Sequence, residues 1–326
     1  MPSSIRQGLV LTAGLGIRLR PLTLVRAKAA IPVGGVPLIR RIVAWLVQAG
    51  VTNLVLNLHY EPASIAAAVG DGSDLGAHVR YSWEQPEVLG SAGGPRLALS
   101  LLEPGPFFMV NGDTLTDLDL SSLARAHAAA EPLVTMALAL NTEPDRYGGV
   151  QLDEGGRVTR FVERGDAARG SFHFIGVQIA SPDAFADLPP GAVARSVGGV
   201  YDRLVARRPG SIRGFVSGAS FWDIGTVADY WRTSTAFACG DAMLGCGRDV
   251  HVATDAMILR SILWDGVRVG AAARLEECIV TDGVSVPPGT HYRRAILRAG
   301  HDGVTVTPFD PSEMGAPMGV RRPQRA

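Results

Sequence analysis

The sequence predicts an α/β domain with a mostly parallel sheet, followed by a small β-helix. Three observations carry this. Short apolar runs alternate with segments of helical spacing over the first two thirds of the 326-residue chain. Two of those runs end in Gly-bearing turns, Thr12-Ala13-Gly14-Leu15-Gly16 and Asn111-Gly112-Asp113, the strand ends where such sheets collect ligands. After residue 240 a 17-residue period sets in and helical spacing stops.

Leu9-Val10-Leu11 reads as a buried strand entering a Gly-bearing loop, followed by Arg18, Arg20, Pro21 and Thr23. Pro37 opens a helix whose apolar positions are Ile39, Ile42, Val43, Leu46 and Val47, and Gly50 closes it. Leu54–Leu58, Val79–Tyr81 and Phe107–Val110 are further strands, as are Val134–Leu140, Val158–Phe161, Phe172–Ile179 and the short Phe221-Trp222. In the last part Val250-x-Val252, Val267-x-Val269 and Val284-x-Val286 recur 17 apart, in phase with Asp265-Gly266 and Asp282-Gly283. Ser261-Ile262-Leu263 matches Cys278-Ile279-Val280, and Asp302-Gly303-Val304-Thr305-Val306 is a looser fourth copy. Three short strands per turn use about 18 residues, so this reads as three to four coils. The expected organisation is an α/β domain over 1–240, the β-helix over 241–310 and a loose tail over 311–326, with three Pro and three Arg in the tail.

Apolar residues make up 47% and charged residues 19%, which excludes a disordered chain. Basic and acidic residues number 31 each, so the basic excess of a nucleic-acid binder is missing. The three cysteines, Cys239, Cys246 and Cys278, match neither a disulfide framework nor a zinc pattern. The seven histidines show no ligand spacing. Met1–Val10 lacks the pattern of a signal peptide, and no 18-residue apolar run occurs. A cytoplasmic protein with no membrane and no nucleic-acid partner is the expectation. One count is unusual: of the 31 basic residues only Lys28 is lysine, leaving 30 arginines. Either one lysine survived a codon bias, or position 28 needs a compact point charge on a flexible stem, which arginine does not supply.

Gly14-x-Gly16 after a strand can turn backbone N–H groups toward phosphate oxygens. It is not a dinucleotide fingerprint: Leu19 stands where a third Gly belongs, and Asn57 and His59 stand where an acid would end the second strand. What remains is a Gly loop followed by Arg18, Arg20 and Lys28, a dense positive group suited to a nucleoside triphosphate. Taken alone, Asp113 is a metal ligand or a turn residue, and Leu89–Gly94 is a close-approach loop against a base or a plain Gly turn.

Leu11–Thr23, Ala27-Lys28-Ala29, Ile31-Pro32-Val33 and Pro37-Leu38 resemble the sugar-1-phosphate nucleotidylyltransferase family. So do Tyr81-Ser82-Trp83-Glu84, Leu89–Gly94, Val110–Asp113, Phe161-Val162-Glu163-Arg164 and Trp222-Asp223-Ile224-Gly225-Thr226. The resemblance implies a Rossmann-like three-layer mixed sheet of the nucleotidyltransferase type and a short left-handed, hexapeptide-like β-helix. It implies transfer of a nucleoside monophosphate from an NTP to a sugar 1-phosphate with release of pyrophosphate. It assigns Arg18, Lys28 and Asp113 to catalysis, and Asp113 and Asp223 to Mg²⁺. Ala13, Gly14, Gly16, Glu84, Gly90, Ser91, Ala92 and Gly93 fall to the nucleotide. Asp113, Gly149, Glu163, Arg164 and Gly176 fall to the sugar phosphate.

The chain departs from the family in three places. Pro-Lys-Pro is Ala27-Lys28-Ala29, Glu-Lys-Pro is Glu163-Arg164-Gly165, and Asn-Ala-Gly is Phe174-Ile175-Gly176. Tyr-Ser-x-Glu with Leu-Gly-Ser-Ala-Gly-Gly is similar to the mannose- and manno-heptose-1-phosphate guanylyltransferase branch, so GTP is favoured. It also resembles the branch that makes UDP-N-acetylmuramic acid. A glycosyltransferase is disfavoured, since Thr114 and Leu115 follow Asp113 where Asp-x-Asp would be needed. A non-catalytic NDP-sugar-binding subunit is the remaining alternative. A homo-oligomer is expected, because a short solenoid has exposed ends to cover.

Overall fold

A computed structural model of the chain describes residues 5–238, 240, 243–301 and 303–311. Two compact units are present, and they do not follow chain order. One holds residues 1–14 and 42–221; the other holds 15–41 and 222–326.

In the first unit, β1 (Gln7–Leu11), β2 (Asn53–Leu58), β3 (His78–Trp83) and β4 (Phe107–Asn111) run parallel in the order β4-β1-β2-β3. Leu9 and Val10 are fully buried, as expected of a strand paired on both edges. Connections run through α1 (Leu38–Gln48), α2 (Pro62–Val69) and α3 (Gly90–Ala98). Then come α4 (Leu120–Ala130), β5 (Val134–Leu140), β6 (Gly149–Leu152), β7 (Val158–Val162), β8 (Phe172–Ala180), α5 (Tyr201–Arg207) and β9 (Ile212–Val216). β8 lies antiparallel to β4 and to β5, which makes the nine-stranded sheet mixed. Its register against β5 shifts between Phe174 and Gln178, across Gly176. Leu9, Phe107, Met109, Met136, Phe185 and Tyr201 are among the core residues of this unit.

The register fixes where chemistry gathers. Leu11 pairs with Asn57 on one side and Asn111 on the other, and Leu58 pairs with Trp83. The residues that follow β1, β3 and β4 thus share one sheet edge, where the helices begin.

In the second unit the 17-residue period is the coil itself. His251-Val252 pairs with Arg268-Val269, and that pair with Ser285-Val286. The faces Met257–Leu259, Arg274–Glu276, His291–Arg293 and Ser261–Leu263, Ile279-Val280 stack likewise, and Val269, Leu275, Val280 and Val286 are buried in the core of the coils. At one corner Arg260, Glu277 and Arg294 all take positive φ (45°, 52° and 50°). The charge ladder they form, with Arg294 Nε donating to Glu277 Oε2 at 2.9 Å, holds that strained conformation in place. The looser fourth repeat is not a coil. Gly303–Pro308 folds back antiparallel on Ala295–Gly300, so the open edge of the last coil is covered rather than extended. The tail expected from 311 lies outside the described residues beyond Pro311, as do Cys239 and Asp302. No helix among the described residues is long and apolar enough to cross a membrane.

Candidate active site

The first unit contributes a hydrogen-bonded chain across three strand ends. Thr12 N donates to Asn57 Oδ1 at 2.6 Å, and the Thr12 hydroxyl donates to the Asn57 carbonyl. Asn57 Nδ2 donates to Glu84 Oε1 at 2.6 Å, and Leu89 N donates to Glu84 Oε2 at 2.7 Å. Glu84 is fully buried, so both carboxyl oxygens are spent on the protein. Through Asn57 it ties the end of β1 to the start of α3. Asn57 is the hub, a residue the sequence offered only as a missing acid. Ala13 is buried beside it and Gly14 is exposed.

Leu89–Gly94 is not an open Gly turn. Residues from Gly90 onward are helical, and they are glycine and alanine because another backbone lies against them. Ala92 N and Gly93 N donate to the Ala194 carbonyl at 3.0 and 3.2 Å, and a Cβ on Gly90 would stand 2.7 Å from that oxygen. Ser91 Oγ accepts from Ser196 N at 2.9 Å. The close approach that glycine permits here is to the chain's own segment 192–196.

Asp113 sits half-buried on the turn after β4, which Gly112 N ties to β1 by donating to the Leu11 carbonyl at 2.9 Å. Gly176, at φ 81°, lies against this turn: a Cβ there would be 2.8 Å from Thr114 Oγ1 and 3.1 Å from Asn111 Nδ2. Gly149 is packed under Ser171 and Val162. Beside it the His173 ring stacks on Tyr147 at 3.9 Å, with Phe221 at 5.3 Å. Burial pushes the His173 imidazole down to about 4, so it is neutral at pH 7. Glu163 and Arg164 are exposed in the loop after β7.

The second unit carries Arg18, Lys28 and Asp223. Gly16 takes φ 58°, and a side chain there would meet Thr23 Cγ2 at 2.7 Å, so glycine is required. Its carbonyl accepts from Thr23 Oγ1 at 2.9 Å. Arg18 Nη2 comes within 3.2 Å of where a Cβ on Gly225 would be, which sets the guanidinium over the Trp-Asp-Ile-Gly-Thr turn. That turn is held by Asp229, whose Oδ2 accepts from Gly225 N at 3.2 Å and Thr226 N at 2.9 Å. Lys28 is half-buried and opens a single 3₁₀ turn, Lys28–Ala30. Its flanks Ala27 and Ala29 are buried, and Ala27 takes φ −54°, ψ 149°, the conformation proline would impose. Packing thus replaces the ring that the family pattern has there.

Asp113 and Asp223 offer hard carboxylate oxygens of the kind Mg²⁺ takes singly or in pairs, completing its shell with phosphate and water. Among the described residues no three or more His, Cys, Asp or Glu side chains gather into an all-protein cage.

A mixed sheet with an acidic turn at its carboxyl end, a Gly loop followed by arginine and lysine, and a stacked β-helix are the features of a nucleotidyltransferase. The chain belongs to the nucleotidyl transferase family, whose pattern matches residues 7–238, and a GlmU-like C-terminal hexapeptide pattern matches 242–293. It is 30% identical over 297 residues to mannose-1-phosphate guanylyltransferase from Mycobacterium tuberculosis, covering 87% of this chain and 82% of that one. It is 35% identical over 191 residues to N-acetylmuramate alpha-1-phosphate uridylyltransferase from Neisseria meningitidis, covering 58% of this chain and 81% of that one. Among solved structures, HddC from Yersinia pseudotuberculosis complexed with GMP-PN superposes with TM-score 0.59 at 25% identity, over 70% of this chain and 98% of that one.

Proposed function

We propose that this enzyme transfers GMP from GTP to the 1-phosphate of a mannose- or manno-heptose-like sugar, giving a GDP-sugar and pyrophosphate. The observation that carries the choice is length: the match to the guanylyltransferase runs through the β-helix over 87% of the chain, whereas the uridylyltransferase match covers 58%. The higher identity of the latter, 35% against 30%, keeps UTP with an N-acetylmuramate-like sugar as the second reading.

In this reading a sugar-phosphate oxygen attacks the α-phosphorus in line, forming one P–O bond as the bond to the β-phosphate oxygen breaks and pyrophosphate leaves. Positioning and charge neutralisation supply the rate. Asp113 and Asp223 would hold Mg²⁺, which when bound neutralises phosphate charge. Arg18 steadies the triphosphate and the departing pyrophosphate. Lys28 meets the phosphate beside the reacting centre. Ala13, Gly14, Gly16 and the start of α3 receive the nucleotide, with Glu84 fixing the shape of that wall. Gly149, Gly176, Glu163 and Arg164 receive the sugar phosphate, Arg164 by a planar fork in place of a lysine point charge.

The test is a matrix of GTP, UTP, ATP, CTP and dTTP against mannose, manno-heptose, glucose and N-acetylmuramate 1-phosphates with Mg²⁺, read by pyrophosphate release. GTP with a manno-configured sugar is expected to give the highest kcat/KM. UTP with the N-acetylmuramate substrate in first place selects the second reading. Binding without turnover in every cell selects a regulatory subunit. Lys28→Arg is expected to lower kcat at least about tenfold with an unchanged melting curve, because the wider guanidinium is displaced from a contact made in the transition state. Wild-type kinetics for that variant would leave the lysine without a role in turnover.

A further inference from the structure

We infer that Arg26 and the two aspartates of the 17-residue period, Asp265 and Asp282, form a clamp by which the β-helix positions the Lys28 turn. Arg26 stands two residues before Lys28. Its Nε donates to Asp282 Oδ2 at 2.5 Å and its Nη2 to Asp282 Oδ1 at 2.6 Å, a two-pronged pairing. Nη2 also donates to Asp265 Oδ2 at 2.8 Å. On the opposite side Nη1 reaches the carbonyl of Ala30, the last residue of the turn that Lys28 opens, at 3.5 Å. One guanidinium therefore holds both the coils and the loop.

The surroundings make the clamp stiff. The Arg26 side chain is 14% exposed, against 21% and 28% for Asp265 and Asp282. The guanidinium lies over the Trp264 ring, 5.6 Å from its centroid. Asp265 N donates to Asp282 Oδ1 at 3.1 Å, so the two carboxylates are fixed by the coil that carries them. A second tether runs beside it: Trp264 Nε1 donates to the Tyr230 hydroxyl at 2.9 Å, which donates to the Pro32 carbonyl at 2.8 Å. The Asp-Gly pairs are thus more than turn formers. Gly266 and Gly283 take the positive φ of the bend (68° and 65°), and the aspartates before them face the loop.

Arg26 is a positioning residue: its donors are committed to the protein and it acts through Lys28. The inference rests on the proposed phosphate role of Lys28. It predicts an effect on kcat that a merely structural ion cluster would not have, since small displacements of a positioned charge are amplified in the rate.

The experiment uses the full chain with Asp282→Asn and Arg26→Lys, each alone and combined with Lys28→Ala. Hydrogen exchange at the Ala30 and Ile31 amides, which bond to Ala27 and Lys28 carbonyls, reads the turn directly. Each single variant is expected to speed that exchange about tenfold or more while β1 amides stay protected. Each is expected to lower kcat about fivefold or more, with KM changed less than about twofold. In the Lys28→Ala background Asp282→Asn is expected to lower kcat no further. Unchanged exchange overturns the clamp. Faster exchange with wild-type kcat, or an undiminished effect in the Lys28→Ala background, overturns its link to catalysis. A wild-type enzyme inactive in the whole substrate matrix overturns the proposed function instead, and the exchange arm still decides the clamp. Arg248→Ala is the control: it removes a side chain 80% exposed that meets Asp265 at 3.2 Å, and is expected to change neither readout.

Discussion

Asp113→Asn is expected to lower kcat by about two orders of magnitude or more, with the melting temperature nearly unchanged. The carboxylate is at a strand end, half-buried, with Thr114 Oγ1 at 3.4 Å. The turn that carries it is anchored to β1 by backbone, Gly112 N to the Leu11 carbonyl, so an isosteric amide is expected to leave the fold intact. In the proposed reading what is lost is one negative charge of the cation's ligands, and a neutral amide holds a divalent cation poorly. Asp223→Asn is the companion variant and carries the same expectation. The measurement is pyrophosphate release under saturating Mg²⁺ beside a thermal melt of each protein. Turnover within a fewfold of wild type in either variant removes that acid from the metal site.

Gly94→Ala is expected to destabilise the enzyme by about 2–4 kcal/mol, because it overpacks a site that has no slack. Two effects oppose each other. Alanine is the better helix former by about 1 kcal/mol, and position 94 lies inside α3 with no positive φ to relieve. Against this, a Cβ at 94 would overlap Glu84 Oε1 and stand 2.9 Å from Asn57 Nδ2 and 3.2 Å from Glu84 Cδ. Glu84 is fully buried and both its oxygens are engaged, so it has nowhere to retreat. The clash wins. A fall of about 5–10 °C in melting temperature follows for a unit of this size. Gly218→Ala, at a site with nothing within 4 Å and no positive φ, is the control and is expected to stay within about 0.5 kcal/mol of wild type. A Gly94→Ala protein as stable as the control would mean that the Glu84–Asn57 link yields freely.

The strands were legible because burial writes itself into composition: Leu9-Val10-Leu11 and Phe107–Val110 are apolar through and through, and both are central. The coil was legible because Val252, Val269 and Val286 occupy one position of successive turns. The place of Asp113 at a strand end was legible from the apolar strand before it. That Leu89–Gly94 leads into a helix packed on the backbone of Ala194 was not legible, because Ala194 is 101 residues from Gly93 and nothing in the local sequence names it. Arg26 was passed over for a similar reason. Its acids lie 239 and 256 residues further on, and an arginine among 30 carries no mark of its own. Asn57 escaped because a buried amide that joins two loops looks like any polar residue at a strand end.

The clamp grips only the early coils, and this sets where the solenoid is free to grow. Beyond Asp282 the chain has two obligations: to keep a 17-residue step and to finish in the hairpin Ala295–Gly300/Gly303–Pro308. One whole extra turn spliced in after Val286 would carry that hairpin outward by about 4.8 Å and leave Arg26 where it is. The same splice between Cys246 and Asp265 would slide both carboxylates one rung away from the guanidinium. A 16-residue splice after Val286 would turn inward valines out to water. Melting and turnover of the three insertants are expected to rank in that order. The molecule is in this respect a ruler nailed down at one end, and variation in solenoid length should be tolerated on the far side of the nail.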